Sequence, residues 1–215
     1  MNKLLNIDEL KASAWPSLLE QAFGENLISA FLHGNCLMEG FDALHLPWTV
    51  SFILKDNSPA EIEKLHPLVK RARKENIRFG YFFSPKEIVS ALDTFPLEFL
   101  HIANRNVSLC GITPLSGFEP HREKLRLQCE RELRGILVHL REGFANTHPG
   151  KDMDAFASES IREALPVLYG VFYLQTGHYP ESHQQVFERF PGLTEGNPIA
   201  AINGIVDQVD SMEEK

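Results

Sequence analysis

Two short apolar runs constrain this chain most. Residues 27–32 (Leu-Ile-Ser-Ala-Phe-Leu) stop at His33-Gly34-Asn35, and Trp48–Leu54 starts just after Pro47 and ends at the turn-like Lys55-Asp56-Asn57. Each is too short for a buried helix, is rich in β-branched or aromatic residues, and is bounded by turn formers, so both read as buried strands. Ile77–Phe83 reads as a third, residues 97–102 as a fourth and residues 107–110 as another.

Helical patterns lie between the strands. Residues 8–22 carry one, interrupted by Pro16 and closed by Gly24. Ser58-Pro59-Ala60-Glu61 has the form of a capping box with proline at the first helical position, and the helix it opens would bury Ile62, Leu65, Val69 and Ala72. Ser84-Pro85-Lys86-Glu87 repeats that chemistry before a short helix through Leu92. Strands alternating with helices predict an α+β domain with a mixed sheet over residues 1–120.

After Pro120 the period changes. Leu125, Cys129, Leu133, Ile136, Leu137, Leu140 and Phe144 mark one face of a long helix. A second runs over about 152–175 with Pro166 as an expected kink, and shorter ones follow at 181–190 and 198–210. Residues 121–215 therefore read as a helical bundle domain.

Composition excludes several classes. With 43% hydrophobic and 23% charged residues the chain is an ordinary globular one, and its formal net charge of −8 argues against a general nucleic-acid binder. No run approaches the roughly 18 apolar residues needed to cross a bilayer, and the N-terminus meets Asp8 and Glu9 too soon for a signal peptide. Three widely spaced cysteines, Cys36, Cys110 and Cys129, suggest neither a disulfide framework nor a zinc site. A cytoplasmic location is expected.

The order of helix, apolar strand, His33-Gly34-Asn35, loop and second apolar strand resembles the nucleotidyltransferase superfamily. Segments 81–88, 90–100 and 125–135 are similar to those of a bacterial branch of it, and the likeness covers about residues 25–145. It implies a glycine at a strand end whose neighbouring amides approach nucleotide phosphates, and an Asp-x-Asp pair on the next strand holding magnesium. Here Gly34 and Asn35 take the nucleotide-binding place, but the carboxylate positions fall near Pro47 and Thr49, and neither binds magnesium as an anion. The expectation is a degenerate site with no cofactor, or magnesium only alongside residual nucleotide binding. If active, such a chain would transfer a nucleoside monophosphate from a nucleoside triphosphate to a hydroxyl.

Acidic candidates remain. Glu39 and Asp42 lie in the intervening loop, and Glu98 could take a third-carboxylate place on its strand, although a strand-end acid paired with a nearby cation is the better reading. Arg134 and His139 match Arg-x4-His, a pattern of helical ribonucleases of the HEPN class. Five residues along a helix leave two side chains about 140° apart, which favours an exposed arginine and a boundary histidine. Lys64, Lys70, Arg71, Arg73, Lys74 and Arg78 could receive phosphates, or more simply form a solvated helix face. His178 and His183 flank a proline and read as surface, while Tyr169, Phe172 and Tyr173 read as core or a dimer seam. The expected partners are a nucleotide and, through the helical half, a second copy or another protein.

Overall fold

The computed structural model describes residues 4–194 and 197–214. The fold is α+β: a four-stranded mixed sheet with flanking helices, followed by a helical region. The chain divides into two compact units, one comprising Met1–Leu92 with Glu98–Glu119, the other Asp93–Leu97 with Pro120–Lys215.

In the first unit, helices α1 (Ile7–Ala12) and α2 (Trp15–Phe23) precede strand β1 (Leu27–His33). A loop that begins with a 3-10 turn leads to β2 (Trp48–Leu54). Helices α3 (Pro59–Ile62) and α4 (His66–Lys74) lead to β3 (Ile77–Phe83), and α5 (Pro85–Ala91) and α6 (Pro96–Asn104) to β4 (Asn106–Gly111). The strand order is β3-β2-β1-β4, with β1 antiparallel to both β2 and β4 and β2 parallel to β3.

Strand alternation sorts the side chains onto two faces. Ala30, Leu32, Trp48, Val50, Phe52, Leu54 and Ile77 join Leu10, Trp15, Leu19 and Phe23 in the larger core. Phe31 and Ile53 point the other way and pack with Phe99 and Ile102 of α6. Each fully buried Phe or Leu contributes about 2–3 kcal/mol relative to exposure, so this division fixes the register.

Three elements differ from the sequence reading. The helical stretch 8–22, expected to be interrupted at Pro16, breaks at Ser13 and Ala14 instead, and Pro16 lies in the first turn of α2. Residues 97–102, expected as a strand, are helical within α6, because Pro96 takes its first position and Glu98 supplies the acid of its first turn. The helix expected from Pro59 is broken: after α3 the chain passes through a 3-10 turn, and Pro67 opens α4. Leu65 and Ala72 are buried as expected, whereas Ile62 and Val69 are only half-buried. Ser84 does form its capping box with Glu87.

In the second unit α7 (Arg122–Asn146) and α8 (Lys151–Thr176) pack on each other, with α9 (His183–Arg189) and α10 (Pro198–Asp210) completing the helical region. The α8 helix continues through Pro166. Tyr169 is fully buried and its hydroxyl meets His183 Nδ1 at 2.9 Å, so His183 serves this core while His178 is exposed. Phe172 and Tyr173 are half-buried.

Candidate functional site

The face of the sheet that carries Phe31 and Ile53 changes character towards the C-terminal end of β1. Thr49 lies across from Arg78 in the parallel β2–β3 pair, and His33 lies across from Asn106 in the antiparallel β1–β4 pair. One step beyond the Leu32–Val50 pair stand His33 and Thr49 themselves. A polar row, Arg78–Thr49–His33–Asn106, therefore crosses all four strands.

Beneath this row lies Ser51, fully buried. Its hydroxyl accepts the Tyr81 backbone N–H at 2.7 Å and meets His33 Nε2 at 2.8 Å. A buried hydroxyl proton needs an acceptor, so the network assigns it to Nε2 and places the ring proton of His33 on Nδ1. Burial, and secondarily the positive charge of Arg78, push His33 down to about 4, so the ring is neutral near pH 7. The Tyr81 ring stacks on it with centroids 5.2 Å apart and is 46% exposed. Gly80 makes this possible: a Cβ there would stand 2.5 Å from Ser51 Oγ and 2.9 Å from Thr49 Cγ2.

Gly34 follows β1 with φ +74°, in the left-handed region that glycine tolerates, and beyond its own turn and chain neighbours no described atom lies within 4 Å of where its Cβ would stand. Asn35 follows, exposed, in the 3-10 turn Gly34–Leu37. Cys36 closes that turn from below, its thiol donating to the His33 carbonyl at 3.1 Å and its pKa raised by burial. Further along, Asn76 at φ 59° donates to Ala43 O at 3.0 Å and Leu46 O at 2.7 Å, and its own carbonyl accepts from Trp48 N.

The acids are placed elsewhere. Glu39 is exposed on the loop, and Asp42 accepts from Leu44 N and lies 2.6 Å from exposed His45. Glu98 lies on a helix instead of a strand, half-buried in the first turn of α6. Among the described residues no three His, Cys, Asp or Glu side chains gather as a metal site requires. The positions that the resemblance assigns to magnesium ligands hold Pro47 and Thr49, and Thr49 pairs across the sheet with Arg78. That donor set does not fit a magnesium ion, which takes oxygen ligands with carboxylate charge.

Of the basic stretch, Arg71 is committed to Glu75 at 3.0 Å and lies over the Trp15 ring, Lys64 pairs with Glu61, and Arg78 leaves the helix for the sheet. In the second unit Arg134 bonds both Glu130, at 2.8 Å, and Asp210, at 2.7 Å, while His139 is 83% exposed on its side chain. Both sit inside the unbroken α7 and diverge around it, so no common site forms within the chain.

Sequence patterns pointed to Gly34 and Asn35, and to Arg78 only as one of a basic stretch that could receive phosphates; they gave no role to His33, Ser51 and Tyr81, and strand register alone makes these residues neighbours. The small glycine at position 80 within an aromatic strand was the available signal for a close approach.

No family model matches the chain, and no curated protein matches it. Among solved structures, a nucleotidyltransferase-like protein from Exiguobacterium sibiricum 255-15 is similar to this chain with a TM-score of 0.34 and 12% identity, over 94% of this chain and 73% of that one. A likeness of that size carries no weight for function.

Proposed function

We propose that this chain is a nucleotidyltransferase-like protein in which metal-dependent transfer is impaired or lost, and that its strand-end site serves nucleotide binding. The observation that carries this reading is the pairing of an open, left-handed Gly34 at the end of β1 with Pro47 and Thr49 where carboxylates would stand. Phosphoryl and nucleotidyl transfer depend on positive charge that neutralises the phosphate oxygens as the bond breaks, and on a base or metal that readies the attacking hydroxyl. Thr49 supplies neither, and Ser51 is too buried to reach a substrate.

The test is a pair of measurements on the full chain. Labelled nucleoside triphosphates with magnesium and hydroxyl acceptors should yield no pyrophosphate above background, while calorimetry should register nucleotide binding. Magnesium-dependent pyrophosphate release would overturn the reading.

A second reading is favoured by α7. Leu127 and Val138 are exposed at 42% and 60%, and their spacing puts them about 20° apart on one side of the helix. Arg131, 69% exposed, lies between them, so this side of α7 offers a helical partner or a second copy two apolar points around a cation. Light scattering on wild type and the Leu127→Glu, Val138→Glu double variant checks self-association through this side: a monomeric wild type, or an oligomer that the double change leaves intact, counts against it.

A further inference from the structure

The row across the sheet carries a charge opposite to that of a magnesium-binding pair. Arg78 stands across from Thr49, and His33 beside Thr49 is neutral. A carboxylate pair reaches phosphate only through a bridging cation. A guanidinium reaches it directly, with a planar fork of N–H donors that matches two phosphate oxygens.

Three further features suit an anion here. Gly34 leaves the space beside its backbone open. The imidazole of His33 brings no negative charge and carries its remaining proton on Nδ1. Tyr81, stacked on His33 and 46% exposed, offers an aromatic surface on the same strand as Arg78.

Resting on the nucleotide-binding reading above, we infer that the Arg78–Thr49–His33 row beside Gly34 is a metal-free phosphate site. Arg78 takes the phosphate group of a phosphorylated small molecule directly, and free divalent cations compete with Arg78 for that group. The shared chemistry is a polyphosphate, whether free or attached to a nucleoside.

Calorimetry on the full chain with ATP, inorganic tripolyphosphate and adenosine, each in EDTA and in excess magnesium, tests this. ATP should bind in EDTA and several-fold more weakly in magnesium. Arg78→Gln should weaken it roughly tenfold or more, as loss of a charge-assisted contact does. Arg73→Gln, the same charge change on exposed α4, should leave it unaltered. Tripolyphosphate as tight as ATP assigns the site to phosphate alone, and tighter ATP assigns it to nucleotides; both support the inference.

ATP binding that requires magnesium, or that ignores Arg78→Gln, overturns the inference and leaves nucleotide binding standing. Tripolyphosphate binding without ATP binding overturns the nucleotide reading alone. Absence of binding by either ligand overturns both.

Discussion

His33 Nε2 and Ser51 Oγ meet at 2.8 Å across the β1–β2 pair, and the hydroxyl between them also receives the Tyr81 backbone N–H. Because His33 titrates near 4 in the folded chain against 6.5 when exposed, the unfolded chain binds the extra proton between those values. Stability contributed by the neutral ring is complete above about pH 6.5 and is lost as pH falls towards 4, on the order of 2 kcal/mol for a half-buried ring. Melting temperature followed from pH 7 to pH 4, with the His33 ring protons followed by NMR, checks this. A His33 resonance titrating near 6.5 would contradict it.

Gly80→Ala should destabilise the first unit. The new methyl would sit 2.5 Å from Ser51 Oγ and 2.9 Å from Thr49 Cγ2, both on the central strand β2, which has little room to move. Overpacking of this kind costs about 1–3 kcal/mol, and urea denaturation reads it. The double variant with Ser51→Ala, which removes one of the clashing atoms, should recover only part of the loss because Tyr81 N–H then lacks its acceptor.

Glu75 is 2% exposed, accepts the Trp15 indole N–H at 2.6 Å and pairs with Arg71 at 3.0 Å. Glu75→Ala leaves both donors without their acceptor and should cost about 2–4 kcal/mol. Trp15→Phe with Glu75→Gln should lose less than the sum of the single changes, since the partners share one interaction. Additive losses would show that the indole contact contributes nothing of its own.

Replacing Arg134 and His139 together by alanine should leave any RNA cleavage by the purified chain at background. Arg134 already spends its donors on Glu130 and Asp210, and the two side chains leave α7 in different directions. A specific cleavage activity that disappears with this double change would restore the nuclease reading.

The strands at Trp48–Leu54 and Ile77–Phe83 and the helix at Pro198–Asp210 were legible because proline, glycine or asparagine bounds a sustained apolar pattern. Residues 97–102 were not, since a short apolar run has no period long enough to separate strand from helix. There the local signals, Pro96 and Glu98, decide for helix. At the candidate site Gly34 announces itself through chain order. Arg78 does not: in sequence it trails the cations of α4, and only the parallel pairing with β2 moves it beside Thr49. Contacts made by register between strands 16 or more residues apart leave no local trace.

Asn76 holds the loop between β1 and β2 through its side chain, while its left-handed backbone turns the chain from α4 into β3. It grips backbone carbonyls while Phe41 packs on Trp48 and Ala43 is buried, so the loop's path is set by backbone and apolar contacts. A lineage built on this scaffold could exchange every acid between positions 39 and 46 and still present the same opening. Kinship among such chains would then be written in an asparagine before the third strand, and a search keyed to catalytic carboxylates would pass it by.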